Sequence, residues 1–323
     1  MKQKCVVALA LPSEMLSSLA EQYEVLPWTE ARAIPEAELA NRLRDAEGLL
    51  CTLTSPVTSA MIDVADRLKV ISTISVGVDH IDVLAASRSV IPVGHTPGVL
   101  VDSTADLTLA LMLAVTRRVA EADRWIRSGQ WTDGWQSDLL LGTDLSQATI
   151  GIVGLGPIGE AVVARLTGFG CRVLTWNRTP KQVPGAEPVG LDELFAQSDI
   201  VSLHTALTEE TTQIASRARL ASMPSGASLV NTGRGLLVDE AALIDEVQSG
   251  RLRAGLDVFV TEPLPVDHPF KRLDNVVLLP HVGSATAATR DAMVARAFDN
   301  LHAGMAGQRV PFCANPEVYE VGR

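Results

Sequence analysis

The stretch from Thr149 to Gly159 leaves this chain the fewest options. An apolar run carrying β-branched residues leads directly into Gly154-Leu-Gly156-Pro-Ile-Gly159, and a helix-like segment, 160–166, follows at once. That order reads as strand, tight turn and helix, and each glycine has a physical task. Gly154 permits the turn, Gly156 lets backbone approach a pyrophosphate, and Gly159 allows close helix–strand packing, with the helix N-terminus facing the anion. A tight turn without a ligand is the plainer alternative, and the strand and helix on either side argue against it.

The same alternation runs through the chain. Short apolar runs at 6–9, 48–53, 68–74 and 90–93 are separated by helical patterns such as 36–44, and a second series occupies 150–153, 172–176, 199–204, 228–231, 255–258 and 276–279. Strands alternating with helices predict an α/β fold with parallel, doubly wound sheets, and six strands is the full count of a dinucleotide-binding sheet. Between the two series, Ser103 and Thr104 can cap a long helix with no glycine or proline before Gly129, and 131–146 reads as a loop that packs against something. A last helix near 287–305 is long enough to return to the first series. Residues 1–100 with 288–323 then form one domain, a discontinuous substrate domain, and 101–287 the dinucleotide-binding domain inserted into it.

At 323 residues, 47% hydrophobic and 20% charged, the chain suits two folded domains with a cleft. Its net charge of -11 disfavours general nucleic-acid or anionic-membrane partners, so a small anionic substrate needs local cations. The apolar run 5–11 is too short to span a bilayer, which makes the cytoplasm the expected location. Cys5, Cys51, Cys171 and Cys313 lie far apart and read as free thiols, and no His, Cys or carboxylate spacing suggests a metal.

Ligands of open α/β sheets bind at the carboxyl ends of the strands. In the second series those ends carry, in order, Gly154, Asn177 and Arg178, His204 and Thr205, Thr232 to Arg234, Asp257 with Glu262, and His281. Taken singly, Glu262 could sit in the turn before Pro263, Arg234 in a surface loop, and His281 in the core. Their joint placement supports a hydride-transfer site. Reduction of a carbonyl needs a proton donor, a cation for the substrate carboxylate, and a group to tune the donor. Histidine titrates near neutrality, a neighbouring carboxylate favours its protonated form, and arginine stays charged. At the second strand end, Asn177, Arg178 and Thr179 offer two donors and a cation where an NAD-selective site places an acid, which predicts NADP(H) over NAD(H), with NAD(H) still usable. His204 either lines the cofactor through its backbone or is a packed strand-end residue, and His80, His95, His268 and His302 read as structural.

These residues also resemble a known family, the D-isomer-specific 2-hydroxyacid dehydrogenases. The resemblance spans nearly the whole chain, through Ser75–Asp82, His95–Asp106, the Gly154 loop, Val201–His204, Asn231–Gly235, Gly255–Phe259 with Glu262-Pro263, and Pro280–Ser284. Within the family the chain resembles the glyoxylate/hydroxypyruvate reductases, through Trp131–Trp135, Glu262–Pro269 and Pro280–Thr286. The resemblance implies a Rossmann domain inserted into a smaller flavodoxin-like substrate domain, and reduction of small 2-oxo acids. It implies that Arg234 binds the substrate carboxylate and carbonyl, that His281 is the acid/base, that Glu262 orients it, and that Val76, Gly77 and Ser284 help bind substrate. Thr104, Pro157, Ile158, Thr232, Gly233, Asp257 and Gly283 would surround the cofactor. It further implies a homodimer. Its interface would use Ala105, Leu109, Leu113 and Ala120 of the long helix, with core packing within one subunit as the plainer alternative, and Trp131 and Trp135 would either narrow a pocket reached from the neighbouring subunit or serve as packing anchors. Ala206 departs from the family, which usually has proline there, so the geometry of that loop is open. Two other readings stand beside this one: another dehydrogenase of the scaffold, of the phosphoglycerate or 2-ketogluconate type, and a nucleotide-sensing binding protein without turnover. Glu262 disfavours formate dehydrogenase, which pairs its histidine with glutamine.

Overall fold

The computed structural model describes residues 2–320, and the chain divides into two units, Met1–Val99 with Thr286–Arg323, and Leu100–Ala285. In the first unit, β1 (Lys4–Val7), β2 (Glu24–Pro27), β3 (Gly48–Cys51), β4 (Val70–Thr73) and β5 (Val93–Gly94) form a parallel sheet in the order β2-β1-β3-β4-β5. This is the flavodoxin-like order. One face packs Val6, Leu49 and Ile71 against Leu39, Leu43, Met61 and Ala85 of the flanking helices. The helix Ala287–Met305 belongs to this same unit, and small residues set its depth. A Cβ at Gly304 would stand 2.4 Å from Val70, and one at Gly94 would stand 2.6 Å from Asn300.

The C-terminal tail closes the open edge at β5. The Ala314 amide donates to Val93 O at 2.8 Å and the His95 amide to Phe312 O at 3.0 Å. Buried Asn315 accepts from the Val93 amide at 2.7 Å and donates to Ile91 O at 3.0 Å. An edge strand covered in this way presents no unpaired ladder to other chains. Cys5 and Cys51 are fully buried in this unit, which pushes both thiols up to about 12 and leaves them inert.

In the second unit, β6 (Thr149–Val153), β7 (Arg172–Trp176), β8 (Glu187–Pro188), β9 (Ile200–Leu203), β10 (Ser228–Asn231), β11 (Arg253–Leu256) and β12 (Val276–Leu278) form a parallel sheet in the order β12-β11-β10-β9-β6-β7-β8. Chain order reverses between β6 and β9, the switch point where such sheets bind ligands. Successive residues serve opposite faces: Leu229 joins the core with Leu194, Leu220 and Leu243, and Val230 joins the one with Met112, Val162 and Leu166.

Several expectations are corrected. The second sheet has seven strands, not six. The two strands not foreseen, β2 and β8, are short edge strands that end in proline, a residue confined to such places because it cannot donate to a ladder. The long helix starts at Val101, so Ser103 and Thr104 lie inside it and do not cap it, and it stops at Thr116. Arg118 is left-handed (φ 53°), and a second helix runs over Val119–Arg127. No glycine or proline ends the first helix. Instead the Thr143 amide bonds Thr116 O at 3.0 Å, and a Cβ at Gly142 would lie 2.3 Å from that carbonyl. Ala105 and Leu109 are buried within their own unit and cannot face a twin. The part of the loop after Gly129 that carries the tryptophans lies at the surface, Trp131 being 55% exposed and Trp135 86%, while Leu145 near its end is buried in the core. No helix among the described residues is long and apolar enough to cross a membrane.

Candidate active site

At the carboxyl end of β6 the three glycines meet three different constraints. Gly154 has φ 101°, and a Cβ there would stand 2.8 Å from the His204 carbonyl carbon and the Thr205 amide. Gly159 lies so close to Gly154 that its Cβ would fall 2.0 Å from Gly154 O. A Cβ at Gly156 would meet nothing within 4 Å, so this backbone faces open space. The helix Pro157–Leu166 begins there with Pro157 in its first turn and no side chain capping it, and Ile158 follows. Amides at an uncapped helix N-terminus beside open backbone suit a pyrophosphate. Nearby, the Thr205 hydroxyl is buried with no partner among the described residues. The residues present therefore fit a dinucleotide.

Asn177, at the end of β7, turns towards this loop. Its Oδ1 accepts from the Leu155 amide at 3.0 Å and its Nδ2 donates to Thr179 O at 2.7 Å. The Asn177 carboxamide thus braces the glycine loop before it offers anything to a ligand. Arg178 and Thr179 are exposed. Lys181, which the sequence reading passed over, donates to Leu155 O at 3.3 Å and pairs with Glu160 in the first turn of the helix. Its signal was present as a cation three residues beyond Arg178. His204 hydrogen-bonds Ser202 through Nε2 at 2.9 Å, and desolvation of the ring lowers its pKa to about 4, so it is neutral at pH 7.

The second half of the site is built from β10, β11 and β12. Buried Asn231 donates from Nδ2 to Arg234 O at 2.8 Å and accepts from the Gly233 amide at 3.0 Å, which closes the turn carrying Thr232, Gly233 and Arg234. Thr232 shares a hydrogen bond of 3.0 Å with Thr108. A Cβ at Gly235 would lie 2.0 Å from the Phe259 carbonyl carbon, so only glycine lets the Arg234 turn meet the segment leading to Glu262. Glu262 Oε1 accepts from the Phe259 amide at 2.9 Å, and its Oε2 lies 2.7 Å from His281 Nδ1, each side chain being 27% exposed. Burial alone would raise the Glu262 pKa. The hydrogen bonds from His281 and Phe259, with the charges of His281 and Arg234, outweigh it and hold the carboxyl below its usual range.

Asp257 fixes the loop that carries the histidine. Its carboxylate accepts from the Val282 amide at 2.7 Å and the Gly283 amide at 2.8 Å, while the His281 amide donates to its carbonyl at 2.9 Å. Asp257 is 1% exposed, and burial raises its pKa against these amide hydrogen bonds. Thr104 donates to Gly283 O at 3.2 Å, and Ser284 follows on the same loop. An ionised Glu262 can only accept, so it places the proton of the neutral imidazole on Nδ1 and leaves Nε2 as the atom that takes up or releases one.

Val76 and Gly77 lie in the first unit, after β4. The Ser75 hydroxyl donates to Gly77 O at 2.8 Å and His95 Nδ1 to Val76 O at 2.9 Å, so this turn is held by Ser75 and by His95, which the sequence reading called structural. Among the described residues no group of three or more His, Cys, Asp or Glu could hold a metal.

Residues 109–283 match the family described as D-isomer specific 2-hydroxyacid dehydrogenase, NAD binding domain. The glyoxylate reductase of Thermofilum pendens is 43% identical over 331 residues, which cover 99% of this chain and 96% of that one. A solved structure from Thermus thermophilus is similar at a TM-score of 0.89 and 45% identity, covering 97% of this chain and 100% of that one. The NADPH-dependent glyoxylate/hydroxypyruvate reductase of Sinorhizobium meliloti, solved with NADP and malonate, is similar at 0.87 and 30% identity, over 98% of each chain. A nicotinamide-dinucleotide domain and relatives matched along almost their full length place the protein among oxidoreductases: the chain belongs to the D-isomer specific 2-hydroxyacid dehydrogenase family.

Proposed function

We propose that this protein reduces small 2-oxo acids, glyoxylate and hydroxypyruvate among them, to 2-hydroxy acids, with His281 as the general acid. The observation that carries the reading is the 2.7 Å contact between His281 Nδ1 and Glu262 beside Arg234, on the same strand ends as the glycine loop. A reduced nicotinamide, when bound, supplies the hydride that the carbonyl carbon takes up. His281 delivers a proton from Nε2 to the carbonyl oxygen and becomes neutral. Glu262 stabilises the imidazolium before that transfer and keeps Nε2 aimed outward. Arg234 pairs with the substrate carboxylate and polarises the carbonyl, with the Ser284 hydroxyl as a further donor.

The cofactor would lie along Gly154, Gly156, Pro157, Ile158 and Gly159, with Thr205, Thr232, Gly233, Asp257, Gly283 and Thr104 beyond. NADP(H) is the preferred form and NAD(H) a usable one. Arg178 and Thr179 are exposed at the β7 end, Lys181 stands near them, and no carboxylate takes the place of the ribose partner in residues 177–179. The protein works as a homodimer in the cytoplasm, pairing through the exposed apolar side chains of Ile126, Trp131, Trp135 and Leu141. A panel of 2-oxo acids assayed with both reduced cofactors tests the reading. Turnover of glyoxylate and hydroxypyruvate well above that of phenylpyruvate, with NADPH the more efficient, is the expected result. Equal efficiency on phenylpyruvate, or no turnover of any 2-oxo acid, contradicts it.

A further inference from the structure

The second unit has a cavity of about 310 Å³ beside the amino-terminal ends of β11 and β12, the opposite strand ends from those that carry Asp257 and His281. Much of its wall is aliphatic, from Val115, Val247, Leu273 and Val277. Arg253, the first residue of β11, also lines it and is partly buried. Among the described residues the Arg253 side chain makes neither an ion pair nor a hydrogen bond. Its neighbours are differently placed. Arg118 is gripped by both oxygens of Glu121 at 2.6 and 2.7 Å, and Asp274 pairs with Arg124 at 2.9 Å.

A guanidinium stays charged in a protein, and a desolvated charge without a partner is costly. Desolvation, then the positive charge of Arg118, pull the Arg253 pKa below the ordinary arginine value, and Glu121 offsets only part of this. A ligand carboxylate would supply the missing partner in a two-point pair. Glu121 and Asp274, both on the wall, would repel a second negative charge, which favours a singly charged anion over a phosphate or dicarboxylate. The apolar walls call for a hydrocarbon body, and the volume is at the lower end of the ~300–1,000 Å³ of small-molecule sites.

We propose that this cavity binds an aliphatic monocarboxylate, with its carboxylate on Arg253 and its hydrocarbon against Val115, Val247, Leu273 and Val277, as a site separate from Arg234 and His281.

Calorimetric titration with 3-methylbutanoate and its uncharged counterpart, 3-methylbutan-1-ol, tests this. The acid binds saturably and the alcohol does not. Arg253→Met weakens the acid by about tenfold or more, as expected for loss of a charge-assisted pair, while turnover stays at the wild-type level. Because a carboxylate also suits Arg234, the titration is repeated with Arg234→Ala, where binding persists. If Arg253→Met does not fold, Ala114→Leu fills the cavity and keeps the cation, and weakens the acid in the same way. The proposal is overturned by absence of saturable binding, by equal binding of the alcohol, or by binding that Arg234→Ala abolishes and both cavity variants leave intact.

Discussion

His281 is held at φ 56°, a backbone conformation that non-glycine residues seldom adopt and that neighbouring contacts must enforce. The contacts here come from Asp257, whose carbonyl and carboxylate together take three successive amides, 281 to 283. Asp257→Asn keeps the shape but turns an NH₂ towards one of those amides. It should cost about 1–3 kcal/mol in denaturant unfolding and lower kcat with it, since an unmade buried hydrogen bond costs about that much. Unchanged stability would show that the carboxylate is not what fastens the loop. Glu262 gives a prediction in pH. Its folded pKa lies below the ordinary 4.5, so its contribution to stability is present above the unfolded value and is lost as pH falls through the lower, folded one. The stability difference between wild type and Glu262→Gln should therefore shrink as pH falls below about 4.5. A difference that stays unchanged as pH falls through that range would reverse the assignment.

At the scale of elements, the turn after β7 separates two roles that the sequence runs together. Asn177 braces Leu155 of the glycine loop, so Asn177→Ala should raise KM for NADPH and NADH alike. Arg178 is exposed and should discriminate, with Arg178→Ala weakening NADPH several-fold more than NADH. Equal losses in Arg178→Ala would remove it from the recognition of a 2′-phosphate. The sequence carried the strand-end residues well, because glycine spacing and strand alternation are local signals. It did not carry Asp257 as the clamp of the His281 loop, nor His95 as a support of Val76, because both act on backbone far away in sequence. The break at Arg118 was illegible for the same reason. A loop amide, that of Thr143, meets the last carbonyl of that helix, and nothing in the local sequence announces it.

For the whole molecule, the face left exposed by the helix Val119–Arg127 and the following loop sets an expectation about assembly. Ile126 is 60% exposed, Trp135 86% and Leu141 62%, large apolar groups that a homodimer would cover. Sedimentation should find a dimer at micromolar concentration, and Trp135→Ser with Leu141→Ser should shift it towards monomer. A monomeric wild type would refute the dimer. The account as a whole rests on proton delivery by one imidazole, and the most direct test is kcat for glyoxylate reduction by His281→Ala, measured beside its dissociation constant for NADPH. The predicted result is a fall in kcat of about 10²–10⁴-fold, the range for loss of a general acid, with cofactor affinity changed little. Turnover near the wild-type level in a variant that still binds NADPH would contradict it.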